Sequence, residues 1–260
     1  MKTNNQINKV LISGASGFLG TLSREIFYDK QLTLISRTIK DLKKNEVWIK
    51  GENLTNFEWW SAYVFEQDYD LVMHFAEPVK SYLDPVSVDR VIKSHLNFLS
   101  NASKIEAYVI YPLTAYCYDN FLSKKQITYL QIKNEVSSVF RDDINILLPI
   151  FHPLVDFGDG LKKLIYLEKK IPLVNLFCSF HAKILILKRR DLELFFLNLD
   201  YRNSGILDIY SKKIEVSQLF QSRKRIDLKL ISIPFKFLCF LVSFLPQARL
   251  LLSGRKTTKK

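Results

Sequence analysis

The feature that most constrains this chain is an apolar run that leads into three glycines spaced three residues apart. Residues 10–12 are apolar and strand-like, and Gly14, Gly17 and Gly20 follow as a helix-like stretch begins. Glycine permits the backbone angles of a tight turn and leaves room for a ligand to approach the main chain. The N–H groups at the start of the helix favour an anion there. The motif therefore predicts a turn that binds a dinucleotide pyrophosphate, the alternative being a tight turn without a ligand.

The order of apolar runs in the first half of the chain is typical of βαβ units. The last of the helices it predicts carries its apolar residues at helical spacing. We therefore predict an α/β fold, a Rossmann-type doubly wound parallel sheet, over residues 1–150. Strands are expected near residues 8–13, 32–36, 70–75, 107–112 and 144–150, and helices near 18–29, 57–66, 86–103 and 124–140.

The regularity weakens after residue 150, where Gly158 and Gly160 indicate a turn. A small C-terminal substrate-binding cap is expected over residues 151–253, including an apolar C-terminal helix, with a basic tail over 254–260. Within the cap we predict a helix near 161–170, a strand near 183–187 and a helix near 191–199.

The charge of the chain favours an anionic partner. It carries 38 Lys and Arg against 26 Asp and Glu, a formal net charge of +12. Such an excess usually marks contact with polyanions, anionic membranes or anionic small molecules. The basic residues are scattered in pairs without a DNA-binding motif, so nucleic acid is not an expected partner. A dinucleotide or a nucleoside-diphosphate sugar is a small anion that accounts for the charge.

The cysteines and histidines do not indicate a metal site. Cys117, Cys178 and Cys239 form neither a C-x-x-C pair nor a Cys/His cluster, and they are predicted to be reduced, buried thiols. A lone histidine is more often structural than a ligand, so His152 and His181 are assigned no role.

Tyr129 and Lys133 form a Y-x-x-x-K pair, which places both side chains on one face of a helix. A lysine charge at that distance favours the phenolate, so the tyrosine becomes a more effective acid or base near neutral pH. Tyr166 and Lys170 match the same pattern, and position has to decide between the two pairs. Only the first pair follows an apolar strand with a hydroxyl residue, Thr114, after it.

The spacing G-x-x-G-x-x-G, together with later motifs in the same order, resembles the extended short-chain dehydrogenases/reductases. That family includes nucleotide-sugar epimerases, dehydratases and reductases. Residues 51–55, GENLT, resemble its segment near the adenine, and residues 70–76, DLVMHFA, resemble the strand whose end lines the cofactor groove. Residues 107–118, AYVIYPLTAYCY, are similar to the strand that leads to the catalytic Ser or Thr.

The resemblance implies a role for three catalytic residues. Thr114 would donate to the substrate oxygen, Tyr129 would exchange the proton, and Lys133 would hold the cofactor ribose while tuning Tyr129. The residues implied in cofactor binding lie on the glycine turn, after the second strand, in the adenine segment and at the cofactor groove: Gly14, Ser16, Gly17, Phe18, Leu19, Gly20, Ser36, Arg37, Asn53, Leu54, Phe75, Ala76 and Lys133.

The chain also departs from the family pattern. The connection from Thr114 to Tyr129 is short, and the asparagine expected near Arg90 or Val91 is absent. The arginine and asparagine expected near residues 149–153 are missing as well, so the family's substrate contacts cannot be transferred to this chain.

The end of the second strand bears on the choice of cofactor. Ser36 and Arg37 stand where a typical NAD enzyme has an acidic residue. An acidic residue accepts from the ribose 2′-hydroxyl, whereas arginine with serine could pair with a 2′-phosphate. We expect NADP(H) to be favoured over NAD(H), the alternative being a solvated loop arginine.

These observations predict an NAD(P)-dependent oxidoreductase that acts on a nucleotide-linked sugar, specifically a 4-keto reductase of surface polysaccharide (O-antigen or capsule) biosynthesis. A nucleotide-sugar 4-epimerase uses the same residues and is the alternative within the enzyme class. A non-catalytic NADP-sensing or scaffold protein on the same fold is the alternative outside it, although a sensor has no need of a proton donor.

The two ends of the sequence bear on location. Residues 1–10 contain no charged segment followed by an apolar one, so a cytoplasmic location is expected. Residues 231–252 are rich in Phe and Leu, but their uninterrupted apolar core falls short of the roughly 20 residues that span a bilayer. We favour a helix packed on the domain or on a partner subunit, as in a homodimer, over a peripheral anchor at the inner face of the membrane.

Overall fold

The computed structural model describes residues 7–38, 41–51, 67–77, 85–118, 124–152 and 183–215. The chain divides into two compact units, the first made of Met1–Thr114, Lys124–Phe151 and Leu192–Ile209. The described elements are, in chain order, β1 (Lys9–Ser13), α1 (Phe18–Ile26), β2 (Gln31–Ser36), β3 (Glu46–Lys50), β4 (Leu71–His74), α2 (Pro85–Lys104), β5 (Tyr108–Ile110), β6 (Leu113–Thr114), a 3-10 helix (Ala115–Tyr118), α3 (Lys124–Phe140), β7 (Ile146–Phe151), β8 (Lys183–Ile186), α4 (Arg189–Leu197), β9 (Gly205–Ile209) and β10 (Lys212–Glu215).

Eight of the described strands form one parallel sheet in the first unit. β1 pairs with β2 on one side and with β4 on the other, while β3 continues beyond β2 and β5 beyond β4. The strand order therefore reverses between β1 and β4. In doubly wound sheets, ligands bind at such a switch point, outside the carboxyl ends of the strands. The predicted Rossmann-type sheet is confirmed.

β5 and β6 lie along the same edge of β7, and β9 lies along its other edge. Ile110 pairs with Leu147, and Leu113 pairs with Ile150. Between the two segments stands Pro112, which has no N–H to give to the ladder. The interrupted strand carries Thr114 to the carboxyl edge of the sheet, opposite Phe151.

The centre of the sheet is buried on both faces. Every residue of β4 is buried, and Lys9 alone is exposed in β1. Parallel strands covered on both faces have continuous apolar sequences, which is why β1, β4 and β7 could be located from the sequence. α2 and α3 pack on each other, and Phe98 from α2 with Val136 from α3 joins the same apolar core as the sheet.

Besides the two-residue β6, two strands of the sheet were not predicted. β3, EVWIK, mixes charged and apolar residues, and its Val47 is 62% exposed. β9, GILDI, has an exposed centre and lies after the predicted domain boundary, yet it pairs with β7 over residues 147–151. Within the described residues both strands have a neighbour on one edge only, so burial does not impose a clear pattern on them.

The second unit contains the antiparallel pair β8 and β10, in which Ile184 faces Ile214. The strand expected near 183–187 is therefore present, and its partner was not anticipated. The helices expected near 57–66 and 161–170 and the segment 231–252 lie outside the described residues, as do Cys178, Cys239 and His181.

The expectation of a buried thiol is wrong for Cys117, which is exposed. It lies on a single turn of 3-10 helix, and one turn leaves part of its surface to solvent. His152 is buried, with its ring 5.8 Å from that of Tyr210. Within the ranges that the structure describes, every helix is too short or too polar to cross a membrane.

Candidate active site

The glycine turn is pressed against the end of β4. Gly14 has a φ of +71°, a left-handed conformation that favours glycine. A Cβ on Gly14 would lie 2.7 Å from the backbone nitrogen of Ala76 and 2.7 Å from the carbonyl carbon of Phe75. Two predicted groove residues therefore contact the predicted phosphate-binding turn.

The other two glycines allow the turn to close and the helix to start. The Gly17 N–H donates to the Gly14 carbonyl at 2.8 Å, and Gly17 is the N-cap of α1. A Cβ on Gly20 would lie 2.6 Å from the Ala15 Cα. Phe18, Leu19 and Gly20 form the first turn of α1, so their N–H groups lie at the end of the helix that attracts anions.

The end of β2 is tied to the same turn. The Ser36 hydroxyl oxygen lies 2.7 Å from that of Ser16 and accepts from the Thr38 N–H at 3.1 Å. Ser36 is buried, whereas Arg37 beside it is exposed. Ser36 thus serves the turn, and Arg37 is the residue of the two whose side chain reaches solvent. Asn53 and Leu54 lie outside the described residues.

Lys133 is the most unusual residue of the site. It lies in α3, and its side chain is 1% exposed. Its ammonium forms an ion pair with a carboxylate oxygen of Glu77, the residue that follows Ala76 in the chain. A buried charge needs such a partner, because desolvation strongly disfavours an isolated ion.

Two tyrosine rings complete the surroundings of the ammonium. Its nitrogen lies 3.8 Å from the ring centroid of Tyr111 and 5.4 Å from that of Tyr129. Both distances are within the range of cation–π attraction. The predicted pair Tyr129 and Lys133 is therefore brought together, while Tyr111 was not anticipated from the sequence.

Two buried histidines lie between this ion pair and β1. The Ser13 hydroxyl oxygen is 2.6 Å from Nδ1 of His74, and Nε2 of His74 is 2.7 Å from Nδ1 of His95. Nε2 of His95 lies 3.8 Å from the second carboxylate oxygen of Glu77, too far for a direct hydrogen bond. Polar groups thus run from β1 to Lys133 across the carboxyl end of the sheet.

The electrostatics of the cluster follow from its burial. Burial lowers the pKa of the Lys133 ammonium, and the Glu77 carboxylate opposes this effect. Burial also lowers the pKa of His74 and of His95 well below its ordinary value, and the nearby Lys133 charge adds to the effect. Burial, Glu77 and Tyr129 together raise the pKa of Tyr111. Both imidazoles and the Tyr111 phenol are therefore neutral beside one buried ion pair.

Thr114 is buried at the end of β6, and α3, which carries Tyr129 and Lys133, packs against β6. The three predicted catalytic residues thus come from two adjoining elements. Tyr129 is half-buried, so its side chain is partly open to solvent.

Sequence reasoning missed Glu77, Tyr111 and His95. Glu77 directly follows the DLVMHFA motif, so its place after the fourth strand was the available signal. The need for a counter-charge became evident only from the burial of Lys133 in the structure.

No protein-family model and no curated protein sequence matches the chain. Solved structures do. The enzyme WbmG of Bordetella bronchiseptica, in complex with NAD, is 14% identical with a TM-score of 0.64, over 85% of this chain and 78% of that one. The UDP-glucose 4-epimerase of Thermotoga maritima, with UDP-glucose, is 13% identical with a TM-score of 0.59, over 82% and 80%. The L-threonine dehydrogenase of Clostridium difficile is 14% identical with a TM-score of 0.57, over 82% and 79%.

The chain has the fold of the extended short-chain dehydrogenases/reductases. The fold implied by the glycine motif is thereby confirmed. In this chain, Gly14, Phe75 and Ala76 meet where the glycine turn approaches the end of β4.

Gly14→Ala tests the close approach on which the groove depends. It should lower the free energy of unfolding by about 1–3 kcal/mol, the usual cost of a strained backbone, since the methyl group meets main-chain atoms of β4. Urea unfolding measures the loss. Gly51→Ala is the matched control, because its Cβ would meet a methyl group of Ile35 at 3.2 Å without a left-handed φ. An equal loss in both variants would contradict this account.

Proposed function

We propose that this protein is a nicotinamide-dependent oxidoreductase that acts on a nucleotide-linked sugar, in the specific role of a 4-keto reductase. One observation carries the proposal. The ammonium of Lys133 pairs with Glu77, Glu77 follows Ala76, and Ala76 packs against Gly14. The Tyr–Lys pair and the glycine turn are thus joined by an ion pair, a peptide bond and a close backbone approach at the switch point of the sheet.

The residues suit a nicotinamide dinucleotide. The glycine turn leads directly into α1, and the N–H groups at the start of α1 favour the charge of a pyrophosphate. Lys133 would contact the ribose beyond it. When bound, the nicotinamide would supply the hydride.

The protein's own part in the reaction is proton transfer and charge stabilisation. Tyr129 would give its phenolic proton to the alkoxide that forms on the sugar carbon, and Thr114 would donate a hydrogen bond to the same oxygen. The positive charge of Lys133, 5.4 Å from the Tyr129 ring, stabilises the phenolate left behind. The proton is then restored from solvent, to which Tyr129 is partly open.

The proposed substrate class rests on the net charge of the chain and on its structural similarity to solved enzymes. A net charge of +12 favours an anion such as a nucleoside-diphosphate sugar. Among similar structures, WbmG was solved with NAD and UDP, and the Thermotoga maritima epimerase with UDP-glucose. A reductase of 4-keto nucleotide sugars would serve surface polysaccharide biosynthesis.

A nucleotide-sugar 4-epimerase is the second candidate, because two of the similar structures are 4-epimerases. A panel of nucleotide sugars separates the two activities. A reductase consumes NADPH or NADH in proportion to a 4-keto substrate, whereas an epimerase converts UDP-glucose with no net change in nicotinamide absorbance. If neither activity is found and no nicotinamide binds, the chain is better described as a scaffold protein on this fold.

Tyr129→Phe tests the catalytic assignment. The ring and its packing remain and the proton is lost, so turnover should fall about 10² to 10⁴-fold while the protein stays folded. Single-turnover absorbance at saturating cofactor measures the change. Tyr166→Phe, in the second Y-x-x-x-K match, is the control and should keep the unmodified rate. An unchanged rate in Tyr129→Phe would favour the non-catalytic alternative.

Arg37→Asp tests the proposed preference for NADPH over NADH. The exposed guanidinium would pair with the 2′-phosphate, so its replacement should weaken NADPH binding by about 1.5–3 kcal/mol, the value of a hydrogen bond to a charged group. NADH binding should improve or stay the same. Fluorescence titration of both cofactors measures this. Equal affinities for the two in the unmodified protein would show that Arg37 makes no such contact.

A further inference from the structure

The proposed role of Lys133 requires a charged ammonium, yet its side chain is buried. Burial disfavours the charged form of an ammonium that is 1% exposed and lowers its pKa. A neutral amine would neither stabilise the Tyr129 phenolate nor attract a tyrosine ring. Something in the fold must therefore keep Lys133 charged before any ligand arrives.

Glu77 meets this need from a different element. Its carboxylate pairs with the ammonium directly, and its own side chain is 18% exposed, so it keeps some contact with water. The Tyr111 ring, whose centroid lies 3.8 Å from the nitrogen, adds a cation–π contact that also favours the charged form.

The histidine pair lies near the second carboxylate oxygen of Glu77. We assign the tautomers from the acceptors available. The Ala76 N–H lies 3.4 Å from the Ser13 hydroxyl oxygen, and Ser13 can then donate to Nδ1 of His74. His74 donates through Nε2 to Nδ1 of His95, so the one N–H of a neutral His95 is on Nε2, 3.8 Å from a Glu77 carboxylate oxygen. This nitrogen is too far from Glu77 for a direct hydrogen bond, but its N–H dipole favours a negative charge there.

We infer that Glu77 is a positioning residue for catalysis: its carboxylate holds the Lys133 ammonium charged and in place beside Tyr129. The inference rests on the proposed function for its catalytic meaning, but the charge of Lys133 can be measured without turnover. The ionisable groups that face Lys133 come from three elements and two connections: His74 on β4, His95 on α2, Tyr129 on α3, Glu77 in the turn after β4, and Tyr111 between β5 and β6.

Glu77→Gln keeps the shape of the side chain and removes its charge. Since Glu77 opposes the effect of burial, its loss should lower the pH at which Lys133 gives up its proton, by about 1–3 units for a neighbouring opposite charge. Proton-coupled carbon NMR of lysine labelled at Cε measures this midpoint, and Lys133→Met identifies the signal. In turnover, the alkaline limb of the pH profile should move to lower pH in the same variant.

Two further variants separate charge from packing. Glu77→Asp keeps the charge and should return the Lys133 midpoint most of the way to its unmodified value. Glu135→Gln is the matched control, because Glu135 is an exposed residue of α3 that bonds to Gln131 and should change neither the midpoint nor turnover. A merely structural role for Glu77 would lower the rate at every pH and leave both midpoints where they were.

The outcomes are distinct. An unchanged Lys133 midpoint in Glu77→Gln overturns the inference, whether or not the protein has activity. A lowered midpoint in a protein without nicotinamide activity supports the role of Glu77 and refutes the proposed function. If Glu77→Gln fails to fold, the double variant with Lys133→Met decides: recovery of folding shows that the unpaired charge was the cause, and continued failure shows that Glu77 is needed for packing alone.

Discussion

The close approach of the glycine turn to the end of β4 is the constraint on which the site depends. Gly14 lies so near the main chain of Ala76 that no Cβ would fit between the glycine turn and the end of β4. The register of β1 with β4, in which Ser13 pairs with His74, sets the position of the end of β4 relative to the glycine turn. Glu77 leaves β4 at this point, so the position of the carboxylate that meets Lys133 follows from backbone packing.

The second organising feature is the charge pair of Lys133 and Glu77, whose neighbouring imidazoles and phenol among the described residues are buried and neutral. Two imidazoles and a phenol crowd Lys133 and Glu77, and burial keeps all three uncharged near neutral pH. A low-dielectric site strengthens the attraction between the two ions and makes any unpaired ion costly. The surroundings therefore favour a paired cation and anion over an unpaired charge. A cofactor or substrate that bound here would experience the electrostatic field of the Lys133–Glu77 pair.

The sequence predicts the elements whose burial is uniform and leaves out those whose burial is mixed. Apolar runs and the glycine spacing were sufficient for β1, β4, β7 and α3, and the Y-x-x-x-K spacing was sufficient to place Tyr129 near Lys133. Edge strands such as β9 carry no such pattern, because only their pairing with β7 identifies them. Glu77 could not be predicted in this way. A buried lysine needs an anion beside it, but which carboxylate lies beside it depends on the three-dimensional fold, not on a local sequence pattern.

The ion pair also limits how this site can change over evolution. A substitution at Lys133 removes the cation that pairs with Glu77, and a substitution at Glu77 removes the anion beside a buried ammonium, so each single substitution should make the protein less stable. We therefore expect positions 77 and 133 to co-vary, so that both charges are kept or both are lost. A relative with an apolar residue at the lysine position should carry a neutral residue in place of the glutamate. Loss of both charges at these two positions would therefore mark relatives that no longer use the Tyr–Lys pair for proton transfer.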